Sequence, residues 1–493
     1  MGGLAAAVDL ASAGQRVTLL ERAPNLGGKV REVSVGPHAI DTGPTLLRMR
    51  WVFDDLFAAA GTALSDHVTL KQAATLGRHA WAGEQRLDLF ADAKRSADAI
   101  GAFAGAKDAA GFLAFCQQAK RIYETLENRF IKAPKPQGTD LVLSAGPLGL
   151  MRLKPLQTLW DAVGTHMKDP RLRQLFSRTS TDYGTPPFQA PAAAMVFAHM
   201  ERSGVFLVEG GMGRLVDAMA RLATGHGAEI RLNCGVKEIT ANANGTTGVR
   251  LDNGEALRAD AVVMTGEPSA VATGLLGRGV TRAAPVIKFP QRTLSASTWA
   301  VVAEAHGMPL LRRTVCFSRD TRLEFDLINS GRLPTEPTIT LIAQDRPDGN
   351  APAPAGPERI LLAVNAPASG DRRAFSQVEI DQCLQGMTAL MNRCGLELRL
   401  TDAPVMTTPA TFHRLFPASG GALYGPAMNG PTAPFGRPAS RTKMKGLFLA
   451  GGSTHPGPGM GAAVLSGRLA AKAVLDELAP PRSFAVRLLG RKN

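Results

Sequence analysis

A short apolar run near the C-terminus is the clearest element in the pattern of hydrophobic positions. The run 447–450 is bounded by glycines, which is typical of a buried strand. Gly451 and Gly452 then predict a tight turn, and small residues predict a helix from about Met460. Glycine lets the backbone approach a ligand closely, and the N–H groups at a helix start favour an anion. A turn in an ordinary α/β sheet explains this segment equally well.

The N-terminal residues predict a helix followed at once by a strand. Leu4 and Val8 share one helix face, and the strand 17–20 ends at Glu21. We interpret this as the back half of a dinucleotide-binding βαβ unit, with Gly3 as the third glycine of GxGxxG and Glu21 as the ribose-binding acid. The first strand and the first two glycines of that unit are missing from the sequence. A plain helix–strand unit is the alternative.

The strand–glycine–helix pattern recurs at 205–213, so the chain visits the predicted cofactor-binding domain three times and that domain is discontinuous. Helical periodicity and further strand candidates in the intervening segments predict an inserted sheet-and-helix domain that holds the substrate. We predict a cofactor-binding domain of residues 1–75, 205–275 and 405–480, a substrate domain of residues 76–204 and 276–404, and a basic tail of residues 481–493.

Individual elements of the inserted domain are also predicted by the pattern. Strands are expected at 295–302, 338–343 and 359–365, and a helix is expected at 378–396. In the cofactor part, the turn residues 252–254, Asp-Asn-Gly, predict a β-hairpin.

Composition and charge narrow the classes of partner. The 493 residues carry 56 Lys and Arg against 42 Asp and Glu, a net charge of +14 that favours anionic partners. Aromatic residues are only 5% and form no cluster with basic residues, so we expect no nucleic-acid partner. The five scattered cysteines contain no CxxC and are typical of reduced thiols in the cytoplasm.

Two segments bear on membrane contact. No apolar run is long enough to predict a membrane span. The stretch 141–167 is strongly apolar with interspersed Arg152 and Lys154, and the tail from Pro480 is basic and amphipathic. Both patterns favour a protein bound peripherally to the inner membrane from the cytoplasm. A buried helical lid over the substrate and a frayed, solvated tail are the alternatives.

Five motifs together resemble the bacterial phytoene-desaturase-type carotenoid oxidoreductases of the flavin amine oxidase superfamily. The motifs are GGLAAAVDLASAGQRVTLLER at 2–22, GGKV at 27–30, DTGPTLL at 41–47, VEGGMGRLVDAMA at 208–220 and LFLAGGSTHPGPGM at 447–460. Within that family, the sequences at 169–178, 294–300 and 420–427 resemble the hydroxyneurosporene and methoxyneurosporene dehydrogenases, which are 1-hydroxycarotenoid 3,4-desaturases.

The resemblance implies an α/β fold with a Rossmann-like FAD-binding domain and assigns residues to the cofactor. Gly2 and Gly3 would abut the pyrophosphate, Glu21 would hold the ribose, Gly28 and Lys29 would line the approach to the ring, the Val236 backbone would meet adenine, Gly451 and Gly452 would flank the pyrophosphate and ribityl chain, and Met460 would face the isoalloxazine. The missing first strand would remove donors to the pyrophosphate. No metal ligand set is expected.

The implied reaction is hydride transfer from an acyclic carotenoid to the flavin, which introduces a C3,4 double bond into a 1-hydroxy or 1-methoxy substrate. His455 is a weak candidate for the general base, and its alternative role is a structural hydrogen bond. Glu209 is another polar group expected near the flavin, and a structural role is its alternative as well. Desaturation of phytoene or another acyclic carotene, carotenoid isomerisation and a non-catalytic binding role are the competing hypotheses. The sequence leaves the terminal electron acceptor open.

Overall fold

Small parallel strand pairs and one large, mainly antiparallel sheet alternate along the chain in the computed structural model. The structure describes residues 1–479 except 137, 140–145, 147–148, 150, 152, 155 and 350–353. The basic tail and much of the apolar stretch 141–167 therefore lie outside the described residues.

The α-helices of the described part are as follows: α1 (Gly2–Ser12), α2 (Arg50–Ala59), α3 (Ala93–Ala104), α4 (Ala106–Leu126), α5 (Leu159–His166), α6 (Pro170–Ser177), α7 (Val196–Arg202), α8 (Gly213–Gly225), α9 (Pro268–Ala272), α10 (Thr321–Asn329), α11 (Gln377–Arg393), α12 (Pro409–Leu415) and α13 (Met460–Leu478). None of them is long and apolar enough to cross a lipid bilayer.

The strands of the described part are as follows: β1 (Thr18–Leu20), β2 (Glu32–Val35), β3 (His38–Asp41), β4 (Leu70–Gln72), β5 (Thr75–Trp81), β6 (Gln85–Phe90), β7 (Phe206–Val208), β8 (Glu229–Arg231), β9 (Val236–Asn242), β10 (Gly245–Leu251), β11 (Ala256–Arg258), β12 (Val262–Met264), β13 (Ser295–Gly307), β14 (Arg313–Cys316), β15 (Ile339–Ala343), β16 (Glu358–Ala366), β17 (Leu396–Leu400), β18 (Val405–Thr407) and β19 (Leu447–Leu449).

Two parallel strand pairs form the frame of the Rossmann-like part. Strand β1 pairs with β8, and β12 pairs with β19, but the two pairs do not join into one sheet among the described residues. Their apolar side chains meet nonetheless, because Leu20 of β1 packs in one cluster with Met264 of β12 and Leu449 of β19. Strands β10 and β11 form the predicted hairpin, and β9 pairs antiparallel with β10 on its other side.

Helix α1 packs tightly against α13 through two glycines. A Cβ on Gly467 would lie only 2.1 Å from the carbonyl oxygen of Gly2, a distance that no real side chain tolerates. Ala6 of α1, Phe448 of β19 and Ala471 of α13 are buried together next to this contact. The small residues predicted for the C-terminal helix are therefore required by the distance between the two helices.

The large sheet has the strand order β17-β13-β16-β15-β14-β5-β6, with only β14 and β5 parallel. The strands predicted at 295–302, 338–343 and 359–365 are confirmed as β13, β15 and β16. Helix α11 ends at Arg393 rather than at 396, because Gly395 adopts φ +81° and Leu396 begins β17.

The two faces of the large sheet have different coverings. Met387 and Leu390 of α11 pack against Trp299 of β13 on one face. Trp81 of β5 stacks on Phe317, with ring centroids 4.9 Å apart, in the large core cluster that also includes residues of helices α3 to α7. Strand β18 pairs with β13 and so belongs to the large sheet, although it begins the range 405–480 predicted for the cofactor domain. The predicted domain boundaries otherwise remain a prediction.

Candidate functional site

The predicted glycine turn after β19 lies against the N-terminus of α1, together with the turn after β12. A Cβ on Gly2 would lie 3.0 Å from the Cα of Gly451, and a Cβ on Gly3 would lie 3.2 Å from the Oγ1 of Thr265. Gly451 has φ +114°, and a Cβ there would lie 3.2 Å from the carbonyl oxygen of Thr265. The turns after β12 and β19 thus meet the first residues of α1, which only glycine backbones permit.

Glu21 and Val236 lie at the same edge of the parallel strands. The backbone N–H of Cys234, just before β9, donates to the carbonyl of Glu21 at 2.8 Å, which brings the start of β9 beside Glu21. Burial lowers the pKa of the Met1 α-amino group to about 6, and the nearby charge of Glu21 opposes that effect. The start of α1, Glu21 and Val236 are therefore neighbours in the fold.

Lys29 connects the second glycine motif to the segments around it. Its Nζ donates to the carboxylate of Glu267 at 3.0 Å and to the carbonyl oxygen of Leu423 at 2.5 Å. The next residue, Tyr424, lies 3.8 Å from where a Cβ on Gly452 would be. Lys29 and Gly452 therefore contact adjacent residues of one loop.

The start of α13 is enclosed by side chains from two other segments. A Cβ on Gly459 would lie 3.4 Å from the ring of Tyr183, and a Cβ on Gly461 would lie 2.8 Å from the Cβ of Met49. Met460, which the resemblance places against the flavin ring, lies between Gly459 and Gly461 in the sequence and begins α13.

His455 is a poor match to a general base. Its side chain is fully buried and meets the ring of Phe130 edge-on, with centroids 5.1 Å apart. Burial lowers the pKa of His455 to about 4. The nearby backbone groups of Ala133 and Phe130 raise this pKa, but by less than burial lowers it. Neither ring nitrogen has a hydrogen-bond partner of ordinary geometry among the described residues, so the alternative structural hydrogen bond is weak as well. A base with this pKa accepts protons poorly at neutral pH.

Glu209, the second polar candidate, lies on the surface. Its carboxylate pairs with the ammonium group of Lys71 at 3.2 Å, and more than half of each side chain is exposed. An exposed surface ion pair of this kind does not provide a base inside a closed, dry cavity.

A largely buried cluster of charges was not predicted from the sequence: Arg313 is buried, and the other members are partly buried. We define the arginine–carboxylate network as Arg48, Arg178, Asp182, Glu201 and Arg313. Arg313 donates to Asp182 at 2.7 Å and to Glu201 at 2.8 Å, and Arg48 donates to Glu201 at 2.8 Å. Arg178 completes the network through a contact of 3.2 Å with Asp182 on the next turn of the 3₁₀-helix Arg178–Tyr183.

The network keeps its carboxylates charged despite burial. Burial alone would raise the pKa of Asp182, but Arg178, Arg313 and Arg48 outweigh it and lower the pKa to about 2. The pKa of Glu201 is also lowered, because Arg48 and Arg313 outweigh the effect of burial. The adjacent His79 is neutral, since burial together with Arg313 and Arg178 lowers its pKa to about 3.

Comparison with known proteins identifies relatives along the whole chain. The family model for flavin containing amine oxidoreductases matches residues 1–475. A hydroxyneurosporene desaturase of Rubrivivax gelatinosus is 46% identical over 97% of this chain and 92% of that protein. A hydroxyneurosporene desaturase of Cereibacter sphaeroides is 38% identical over 97% of this chain and 96% of that protein. A phytoene dehydrogenase of Streptomyces griseus is 31% identical over 96% of this chain and 93% of that protein.

Solved structures with the same fold are more distant in sequence. An oxidoreductase from Methanosarcina mazei matches with a TM-score of 0.56 at 14% identity, covering 97% of this chain and 98% of that one. A putrescine oxidase with redesigned cofactor binding matches with a TM-score of 0.53 at 12% identity, covering 96% of each chain. These similarities support the fold alone.

Open space at Gly28 and the converging turns fit a flavin nucleotide. A Cβ on Gly28 would meet no atom within 4 Å, so this loop borders open space rather than packed protein. The helix start at Gly2 provides N–H groups for phosphate, and a carboxylate such as that of Glu21 suits ribose hydroxyls. We infer that the cofactor contacts are made by Gly2, Gly3, Glu21, Gly28, Lys29, Val236, Gly451, Gly452 and Met460.

Replacing Gly28 tests this assignment, and Gly14 provides a matched control. Both have positive φ (+63° and +79°), and at both a Cβ would meet open space. Gly28→Ala and Gly14→Ala should each lose about 1–2 kcal/mol of stability from the left-handed backbone. Only Gly28→Ala should place a methyl group against the flavin and weaken its binding about tenfold or more. Fluorescence titration of the apoprotein with FAD measures this difference, and equal affinities for the two variants would contradict the assignment.

Proposed function

Because the chain belongs to the flavin containing amine oxidoreductases, we propose that it uses FAD to desaturate an acyclic carotenoid. The observation that carries this proposal is the match at 46% identity to a hydroxyneurosporene desaturase across nearly both whole chains. The matching relatives also include a phytoene dehydrogenase, so several named proteins of this sequence type act on long polyenes.

The preferred substrate in this proposal is a 1-hydroxy or 1-methoxy carotenoid, which gains a double bond between C3 and C4. Three relatives named hydroxyneurosporene desaturase support this choice. The phytoene dehydrogenase at 31% identity supports phytoene or another acyclic carotene as the second candidate.

Bound flavin supplies the hydride acceptor in such a reaction. The protein must then orient the substrate, exclude water and let the second proton leave. Buried aromatic side chains such as Phe112, Phe115, Phe176 and Phe197 supply an apolar, dry interior. The low pKa of His455 and Asp182 makes both poor proton acceptors, so we assign no protein base.

We also propose that the cofactor and substrate parts divide as the sequence pattern predicts, with β18 assigned to the substrate part. The parallel pairs β1–β8 and β12–β19 then belong to the FAD-binding part. The large sheet and helices α3 to α7 then enclose the carotenoid.

Incubation with defined carotenoids tests the proposed activity. We expect purified holoprotein with a 1-hydroxycarotenoid to form a product with one more conjugated double bond, detected by a red shift of its absorption and by chromatography with mass spectrometry. A geometric isomer of unchanged mass would instead indicate an isomerase. No product from hydroxylated or hydrocarbon carotenoids would contradict the proposal.

Peripheral membrane binding is the second part of the proposal. Leu156 is 97% exposed and Met151 is 72% exposed, which leaves two large apolar side chains of the stretch 141–167 in water. Exposed apolar side chains near basic residues suit insertion into the interface of an anionic bilayer. This surface would let an insoluble carotenoid pass between bilayer and enzyme.

Co-sedimentation with anionic phospholipid vesicles checks this binding. We expect the wild type to sediment with the vesicles and Met151→Asp/Leu156→Asp to remain largely in the supernatant, because a bilayer interface disfavours the added carboxylates. Val378→Asp is the matched control, since Val378 is also exposed (64%) but lies on α11. The proposed membrane surface would be contradicted if the wild type did not sediment with the vesicles. It would also be contradicted if Val378→Asp stayed in the supernatant as completely as the double variant.

A further inference from the structure

A cavity between helices α4, α6 and α7 and the large sheet joins two unlike surfaces. It is a narrow cleft whose walls lie close together, and it is partly open to solvent. Leu76, Leu89, Phe112, Phe115, Leu175 and Phe176 line it with apolar groups. Arg178, Asp182, Glu201 and Arg313 of the arginine–carboxylate network line it with charges. The lining therefore matches, in its chemistry, the end of an apolar chain that carries one polar group.

The network carries an excess of positive charge. Three guanidinium groups face two carboxylates, and the neutral His79 adds no charge. Glu324 is the next carboxylate, but it accepts hydrogen bonds from Ser318 and Thr338, and burial raises its pKa. An uncompensated charge in a largely apolar interior is costly unless a polar partner meets it.

Two hydrogen-bond donors of the network have no acceptor. The Nε of Arg178 and the Nε of Arg48 are buried and have no hydrogen-bond partner among the described residues. The Nη2 of Arg178 already donates a hydrogen bond to the Oγ1 of Thr340 at 2.6 Å. The group of Arg178 without an acceptor is therefore its Nε–H alone. An orphaned buried donor beside a cavity indicates a place for an acceptor oxygen.

The network lies one residue from the proposed flavin site. Tyr183 follows Asp182, and its ring approaches Gly459 at the start of α13. The same ring stacks on Phe197 with centroids 3.7 Å apart and lies 5.9 Å from the guanidinium of Arg48. In a 1-hydroxycarotenoid, C2 alone separates the oxygen-bearing carbon from the C3–C4 bond. A group that binds the terminal oxygen must therefore lie close to the flavin, as the network does.

We propose that the arginine–carboxylate network binds the terminal oxygen of the carotenoid and selects hydroxylated or methoxylated chain ends over hydrocarbon ends. The guanidinium groups donate to the hydroxyl or ether oxygen, and a carboxylate of Asp182 or Glu201 accepts the hydroxyl proton as a hydrogen bond. A hydrocarbon end would leave the buried Nε–H donors of Arg48 and Arg178 without an acceptor, and an unmet buried donor is a strong basis for such discrimination. This inference rests on the proposed desaturase function.

Substitution of Arg178 tests the inference through a ratio of activities. The ratio compares kcat/KM for a 1-hydroxycarotenoid with kcat/KM for the matching carotene without the hydroxyl. We expect Arg178→Gln to lower the activity on the hydroxylated substrate about 10- to 100-fold, the range for a hydrogen bond to a charged group, mainly through KM. Activity on the hydrocarbon should fall less than this, so the ratio of the two values should drop, and Arg178→Lys should restore part of the preference.

The matched control is Arg202→Gln. Arg202 lines the same cavity, but its guanidinium donates to the carbonyl of Ala91 and lies over Phe112, outside the network. The Arg202→Gln variant should keep the wild-type preference for the hydroxylated substrate. If Arg178→Gln fails to retain flavin, Arg178→Gln/Asp182→Asn removes one cation and one carboxylate together and should show the same loss of preference.

The outcomes separate this inference from the proposed function. A wild type that desaturates both substrates equally, or an Arg178→Gln variant that keeps the wild-type ratio, would overturn the role of the network and leave the desaturase function standing. A wild type that acts only on the hydrocarbon would also overturn it. A wild type inactive on every carotenoid would overturn the proposed function and this inference together.

Discussion

The close backbone approach of Gly2, Gly451 and Gly467 is the constraint on which the arrangement of the site depends. A Cβ on Gly467 would collide with the carbonyl of Gly2, and one on Gly2 would collide with Ala463 and Gly451. Helix α1, helix α13 and the turn after β19 can share one position only because these residues lack side chains. That contact fixes the first N–H groups of α1 beside the glycine turn, where a phosphate would lie.

Electrostatics shapes the other end of the proposed site. Most of the interior around helices α3 to α7 is apolar, yet it contains the five charged side chains of the arginine–carboxylate network, of which Arg313 is buried and the other four are partly buried. Replacing such a network with packed apolar residues is often neutral or stabilising, so stability alone does not explain it. A requirement to meet a polar group inside a dry cavity explains it better, and the short distance through Tyr183 to the start of α13 links that requirement to the flavin.

Much of the fold could be predicted from local sequence signals. Apolar runs between turn residues identified β13, β15, β16 and β19, since these strands are buried on one or both faces. A glycine motif identified the turn after β19 that meets α1, because close approach excludes side chains there. The end of α11 was placed too late, since helical periodicity continues past Arg393 while the positive φ of Gly395 ends the helix.

The network could not be predicted, because its members come from distant segments. Arg48, Asp182, Glu201 and Arg313 each resemble ordinary surface charges in sequence, and only the packing of α7 and β14 brings them together. The pairing of β18 with β13 was missed for a related reason. Strand pairing between residues as far apart in sequence as Thr298 and Thr407 leaves no local signal, so Val405–Thr407 was grouped with the segment that follows it.

The most direct measurement of the central constraint is FAD binding by Gly467→Ala. Gly467 is buried between α1 and α13 and is not among the proposed cofactor contacts. Gly225→Ala is the control, because Gly225 is also helical but a Cβ there would meet open space. If the glycine contact positions the cofactor cleft, Gly467→Ala should remain folded by circular dichroism but bind FAD at least about tenfold more weakly, since overpacking by one methyl group costs about 1–3 kcal/mol. Wild-type affinity in a folded Gly467→Ala variant would contradict the account.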